Sequence, residues 1–372
     1  MPASPSDGAE LARAIGAIYQ DAEDALLSIL ARALAAGIES PRWAELKLAA
    51  IGNVRAAVDE VVRGLQHDAD GAIGRAVHEA YRRGGQAAAA ELGALPEGLR
   101  HAAAQGLPNA AAVDRLANQA LDSTRPIYRR ILRAITDAYQ AIVQRVSGSV
   151  LLGSLTRRQA AQRALDQLAS RGITGFTDRA GRNWDMASYA EMAVRSVTGR
   201  AAIQGHVDQL QAASRELVIV SSAPLECPLC APWEGEVLSI GGPSGSRTLH
   251  AEHAIQDGKQ VEIHVAGSLE EARAAGLFHP NCRHSVSAYL PGVTVRPQSP
   301  PHPGGATYED TQRQRYYERQ IRMWKRRQAA AFDDDAGRRA GARVRDYQAR
   351  IRQLVAAKEL PRKPQREQLG IR

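Results

Sequence analysis

All three cysteines of this 372-residue chain fall within one 58-residue span, and two histidines flank the last of them. They read Cys227-Pro-Leu-Cys230 and, after 48 intervening residues, His279-Pro-Asn-Cys282-Arg-His284. Two thiols three positions apart make a knuckle, and a mixed Cys/His triplet can close a site from the far side. Zn²⁺ takes four such ligands tetrahedrally, and its structural sites are commonly Cys₃His or Cys₂His₂. The pairs lie farther apart than in a small zinc finger, so a metal here would tie a domain together. The same residues have two other fates open to them: buried thiols acting as small hydrophobes, or a Cys-x-x-Cys redox pair. The odd cysteine count and the lack of a secretory leader argue against a disulfide framework.

The opening residues, MPASPSDGAE, have neither a basic n-region nor an apolar h-region. No apolar run approaches the roughly 18 residues that span a bilayer. Neither export by that route nor membrane insertion is expected. With 24% charged and 44% hydrophobic residues the chain is globular in class.

The spacing of apolar residues predicts helices over the first 150 residues. Leu11, Ile15, Ile18, Ala22, Leu26 and Ile29 share one face, and Gly37 is a stop. Ser40-Pro41 has the form of a cap before a helix carrying Trp43, Leu46, Ala50, Val54, Val58, Val61 and Leu65. Ile73, Val77 and Tyr81 continue the pattern, Gly93, Pro96, Gly106 and Pro108 interrupt it, and Pro126 restarts a helix through Ile127, Ile131, Ile135 and Ile142.

From residue 150 the pattern changes. Thr156-Arg-Arg-Gln159 is a capping box opening a helix that ends at Gly172. Residues 173–186 read as a hairpin turning at Arg179-Ala-Gly181, followed by a helix over 187–213. Strands are expected at 216–221, at 261–265 and near 285–290. A second capping box, Ser268-Leu-Glu-Glu271, opens a short helix closed by Gly276. His250, His253 and His264 read as exposed loop and strand residues, and the loop around Gly242–Gly245 as flexible. Residues 291–305 are a Pro/Gly/Ser-rich linker.

Residues 305–372 carry 18 Lys and Arg against 9 Asp and Glu, whereas residues 1–304 carry 30 against 31. All the net basicity therefore sits in this tail. Two amphipathic helices are expected there, with apolar stripes Tyr317, Ile321, Trp324, Ala331 and Val344, Tyr347, Ile351, Leu354, separated by Asp333-Asp-Asp335 as a cap. Arg319, Arg322, Lys325, Arg326 and Arg327, with Trp324 beside them, are candidates for contact with nucleic-acid phosphates or an acidic protein partner. Solvated faces are the plain alternative. The basic positions lie off the apolar stripe, so their charge is expected to be dispensable for the fold.

The segments CPLCAPWEGEVLSI and GSLEEARAAGLFHPNCRHSVSAYLPG resemble the phage minor capsid protein 2 family, a relative of the Mu F-type head-morphogenesis proteins. TDRAGRNWDMASYAEMAVRS and YYERQIRMWKRRQAAA resemble further parts of it, so the likeness covers roughly residues 120–360. Cys227, Cys230, His279, Cys282 and His284 match its signature positions. The resemblance implies a virion protein present in few copies inside the head near the portal, made in the host cytoplasm during assembly.

The sharpest competing chemistry is a zinc deaminase, since His250-Ala-Glu252 and a Cys-x-x-Cys are both present. That arrangement places His-x-Glu before Pro-Cys-x-x-Cys, whereas here the cysteines come first and Glu226 precedes them. Neither the Gly-x-Ser-x-Gly elbow nor the His-Glu-x-x-His form occurs around these histidines.

The expectation is a mainly α chain with a small α+β core: a helical N-terminal domain over 1–150, a Cys/His-centred α+β domain over 151–304, and a basic helical-hairpin tail over 305–372. Its expected role is that of a non-enzymatic minor capsid protein holding one structural Zn²⁺ bound by four of those five residues. Its expected partners are the portal, the capsid interior and, without sequence preference, packaged double-stranded DNA. The alternative is a zinc-dependent nucleic-acid-modifying enzyme or a phage-delivered toxin.

Overall fold

Helical spacing in the first 150 residues becomes four helices in the computed structural model, which describes residues 5–94, 109–151, 155–171, 176–177, 183–184, 186–279, 282–297, 302–332 and 334–369. These are α1 (Pro5–Ala35), α2 (Trp43–Ala49), α3 (Ile51–Gly93) and α4 (Ala110–Leu151). The expected breaks at Pro96, Gly106 and Pro108, the Arg179–Gly181 turn and the Asp333 cap lie outside the described residues. The chain is mainly α with a small mixed sheet, and its contacts divide it into two units.

One unit comprises Ile15–Gly71, Asp122–Glu191 and Pro303–Arg372. Gly37, at φ +63°, follows the end of α1 as its spacing predicts. The helix expected from Trp43 through Leu65 is instead two, parted at Ala50. The Lys47 carbonyl accepts from the Tyr139 hydroxyl at 3.2 Å in place of a helical N–H, and Lys47 Nζ reaches the Ala33 carbonyl at 2.5 Å. Tertiary hydrogen bonds thus break a run that propensity alone would continue. The opposite happens at Pro126, which restarts nothing and sits inside α4. Ile127, Tyr128, Ile131, Ile135 and Tyr139 are all buried along that helix, and this burial outweighs the hydrogen bond that proline forfeits. The Tyr19 and Tyr128 hydroxyls meet at 2.8 Å, and Tyr128 donates to Asp70 at 2.9 Å. Burial lifts the Tyr19 hydroxyl to about 12, against a smaller lowering by its bond with Tyr128.

In the same unit, Thr156 and Gln159 exchange the reciprocal bonds of a capping box at the head of α5 (Arg157–Arg171). The expected hairpin is present as β1 (Phe176–Thr177) and β2 (Asn183–Trp184), paired antiparallel. The tail forms α8 (Tyr308–Ala329) and α9 (Asp334–Lys358), whose stripes pack on each other through Ile321, Val344 and Ile351, with Tyr317, Trp324 and Tyr347 at the margin. Each fully buried aliphatic side chain there contributes about 1.5–3 kcal/mol.

The other unit comprises Met1–Ala14, Ala72–Leu121 and Met192–His302. Within it, α3 and α6 (Met186–Ala212) touch backbone to backbone. A Cβ on Gly84 would lie 1.9 Å from the Ala202 carbonyl oxygen, and one on Gly205 would lie 2.1 Å from that of Tyr81. Only glycine permits this approach, and it lets Tyr81 Oη donate to Asp208 at 2.7 Å.

The sheet of this unit has the order β5 (Arg247–Glu252), β6 (Gln260–Ser268), β4 (Val237–Ser239), β3 (Leu217–Val220), β7 (Val286–Ala288). Only β4 and β6 run parallel. Val237, Ile263 and Val265 form its buried cluster. β3, β6 and β7 match the expected strands, and Ser268 and Glu271 cap α7 (Leu269–Ala274) reciprocally. β4 and β5 come without a prior expectation: β4 is only three residues long, and RTLHAE is poor in β-branched residues. The edge strand β7 is covered where the Ala288 N–H donates to Glu91 of α3 at 2.9 Å. Glu91 in turn lies 3.1 Å from Nε2 of the fully buried His206.

Candidate metal centre and the basic tail

Three strand ends meet at one place. β3 leaves the sheet at Val220 toward Cys227, β4 enters just after Glu234, and β7 enters just after His284. Val220 pairs with Val286, and Ile219 pairs with both Ser287 and Val237, so these ends lie at the same edge of the sheet. The Ser221 and Ser285 backbones continue that pairing, and Ser285 N–H also donates to the Ser221 hydroxyl. Antiparallel pairing thus brings together cysteines that are some fifty positions apart in the chain.

The first knuckle is closed by Cys230 N–H and Ala231 N–H, which both donate to the Cys227 carbonyl, and a 3₁₀ turn over Ala231–Trp233 follows. Leu225 and Phe278, which lead into the two halves of the site, both sit at φ +61°. A left-handed non-glycine residue costs of order 1–3 kcal/mol and persists where its surroundings over-determine it.

Two triads result, Cys227–Cys230–His279 and Cys230–Cys282–His284, each with its ligand atoms within 4.8 Å of one another. Cys227 Sγ lies 2.8 Å from His279 Nε2, Cys230 Sγ 3.5 Å from Cys282 Sγ, and Cys282 Sγ 3.3 Å from His284 Nδ1. Cys227, Cys230 and His284 are buried, while Cys282 and His279 are half-buried. All three thiols are free. The five residues singled out in the sequence therefore converge on Cys230.

Their electrostatics are strongly coupled. The hydrogen bond from Cys230 draws the Cys282 thiol down to about 4, burial opposes this, and His284 adds to it. The same contact, with burial, pushes Cys230 up. Burial works to lower His284, yet its bonds with Cys282 and Glu234 leave it raised. Three sulfurs and two imidazoles in so small a volume suit a thiophilic divalent cation. A zinc tetrahedron has S···S edges of about 3.8 Å and S···N edges of about 3.6 Å, and the Cys230–Cys282 and Cys282–His284 separations are near these values.

Sequence reasoning missed Glu234. Its Oε1 lies 2.5 Å from His284 Nε2 and accepts from Ala223 N–H at 3.0 Å, and Oε2 accepts from the Ser222 hydroxyl at 2.9 Å. The only signal was a carboxylate ending the CPLCAPWE run. His253, expected to be exposed, is instead buried, and its Nδ1 accepts from Ile255 N–H at 3.2 Å. That bond organises a turn just after β5. His250 and His264 are exposed on β5 and β6.

The candidate basic residues of α8 do not form one open face. Arg326 is 4% exposed and donates to the Ala169 carbonyl at 3.3 Å. Arg327 donates to the Asp166 carbonyl and the Ser170 hydroxyl and lies 4.4 Å from the centre of the Trp324 ring. These carbonyls belong to the last turns of α5, where unpaired C=O groups and the helix dipole attract cations. Arg322 reaches the Arg366 carbonyl and Lys325 the Gln368 side chain. The expectation that this charge is dispensable for the fold is therefore corrected. Arg319 is exposed, as are Arg338, Arg339, Arg343, Arg345 and Arg352 on α9.

No helix among the described residues is long and apolar enough to cross a membrane. The chain matches phage minor capsid protein 2 over residues 4–356 and belongs to that family of virion structural proteins. It is 29% identical over 249 residues to a structural protein of Lactococcus phage LL-H, covering 65% of this chain and 63% of that one. A structural protein of Lactococcus phage mv4 is 36% identical over 102 residues, 26% of this chain and 83% of the relative. The chain thus spans less than two thirds of the length of the LL-H protein. No solved structure matches it.

Proposed function

We propose that this minor capsid protein acts inside the phage head beside the portal, as a structural part without catalytic activity. Its Cys/His cluster holds one structural Zn²⁺, and its basic tail touches packaged DNA. The observation that carries the metal reading is the convergence of three free thiols and two imidazoles at one sheet edge. Bound there, Zn²⁺ would neutralise the thiolates and lock the ends of β3, β4 and β7 together. Family membership supports assembly with other virion proteins. The exposed arginines of α9 support a contact with phosphates, which would be sequence-independent and steeply weakened by salt.

Elemental analysis of the purified full chain tests the metal; about one zinc per chain is the expected result, and none would refute it. Cross-linking within intact heads tests the location, with portal adducts expected and their absence refuting it. Replacing Arg338, Arg339, Arg343 and Arg345 by glutamine should flatten the salt dependence of DNA binding without unfolding the chain. DNA binding that is absent in the wild type would remove that part of the reading.

A further inference from the structure

The geometry assigns the metal ligands to Cys227, Cys230, Cys282 and His284, with Glu234 as the outer carboxylate that positions His284 and with His279 outside the ligand set. This rests on the zinc reading above and goes beyond it.

A histidine that binds metal through one ring nitrogen almost always donates the other N–H to a carboxylate or carbonyl. His284 is built in that way. Its Nε2 faces Glu234 Oε1 at 2.5 Å, and a carboxylate only accepts, so Nε2 carries the proton. The Nδ1 lone pair is left facing the sulfurs, 3.3 Å from Cys282 and within 4.8 Å of Cys230. Both this separation and the 3.5 Å between Cys230 and Cys282 lie close to the edges of a zinc tetrahedron.

His279 is arranged differently. Its Nε2 stands 2.8 Å from Cys227 Sγ, well inside the roughly 3.6 Å that two ligands of one zinc keep between them. The two cannot both ligate one zinc, so His279 remains as a hydrogen-bond partner of the Cys227 sulfur. Cys227 completes the set because its knuckle already fixes its backbone against Cys230.

Glu234 is held by groups other than His284. The 3₁₀ turn Ala231–Trp233 delivers it directly from the knuckle, and Ser222 and Ala223 hold both of its oxygens. The first knuckle thus supplies two ligands and, four residues later, the group that aims a third ligand from the second half of the site. Glu234 is a positioning residue: it touches His284 and acts on the metal only through it.

The test uses the full chain stripped of metal and titrated with Co²⁺, whose visible absorption reports ligand number and sulfur content, followed by competition with Zn²⁺. His279→Ala should keep the three-thiolate, one-imidazole spectrum, with affinity within about threefold of the wild type. His284→Ala should alter the d–d bands and lower affinity by more than 100-fold. Glu234→Gln should leave the spectrum intact while lowering affinity by about 10- to 100-fold; it carries the test alone if His284→Ala fails to fold. The reverse pattern, with His279→Ala losing a ligand and Glu234→Gln binding as the wild type does, would overturn the assignment while leaving a zinc site in place. A wild-type chain that takes up neither Co²⁺ nor Zn²⁺ would overturn the zinc reading itself.

Discussion

The strand-end cluster and the α8–α9 hairpin are both rich in chemically conspicuous residues, yet they use them in opposite ways. In the cluster, polar groups converge on one another: five Cys and His side chains and Glu234 meet at three strand ends. In the hairpin, the basic groups diverge. Arg326 and Arg327 turn inward to the carbonyls at the end of α5, while Arg338 and Arg339 are exposed and pair with Asp335. Cysteines and histidines at fixed spacing are recognisable as a group before the fold is known, whereas an arginine's role depends on what its helix packs against.

The largest effect should come from breaking the cluster. Cys230→Ser, or chelation of the wild type, is expected to lower the melting temperature by roughly 10 °C, since structural zinc contributes folding free energy directly. A shift smaller than about 2 °C, read by thermal circular dichroism, would place the cluster on the same footing as surface groups.

The next effect belongs to the hairpin. Arg326→Met should cost about 3 kcal/mol in denaturant unfolding, because it removes the cation 4.0 Å from the fully buried Glu23 carboxylate. Arg338→Ala, on the exposed face, should cost less than about 0.5 kcal/mol. Equal losses would erase the distinction between inward and outward arginines.

Alkali tests the helical core that carries the hairpin. The Tyr19 hydroxyl sits at about 12 in the folded chain against 10.0 ordinarily, so the folded state holds its proton longer. The stability this supplies is present below pH 10 and lost as pH rises toward 12. Tyr19→Phe should lose less stability over that window than the wild type, and identical alkaline profiles would contradict the assignment.

The finest comparison sets the Ser268–Glu271 capping box at the head of α7 against the Thr307–Asp310 capping box at the head of α8. Ser268→Ala and Thr307→Ala should each cost about 1 kcal/mol. Only Ser268→Ala, whose helix leads into the segment that carries Cys282 and His284, should also weaken metal uptake. Equal metal affinity in both variants would show that α7 does not position the site.

Much of this was legible in the sequence. The Cys/His groups, three strands, both inner capping boxes and the paired tail stripes each carry a local rule, and local rules survive folding. What was not legible depends on partners distant in the chain. Ala50 breaks a helix because Tyr139 takes a carbonyl, Pro126 fails to break one because its neighbours are buried, and Arg326 looks solvated until α5 is placed beside it. Glu234 belongs to the same class. One carboxylate among many becomes part of the site only when β7 brings His284 to it.

The bond between Glu91 and Ala288 has a consequence for how this protein withstands crowding among other copies and other virion proteins. An uncovered edge strand is a template for a foreign strand, and chains that grow edge to edge aggregate. At β7 a newcomer would have to displace a carboxylate already bonded to the backbone. At the opposite edge, β5 sets His250 and Glu252 outward, polar groups that a pairing strand would have to desolvate. The sheet is thus guarded by a borrowed side chain at one margin and by its own polarity at the other, which favours assembly through other surfaces over fibre-like stacking.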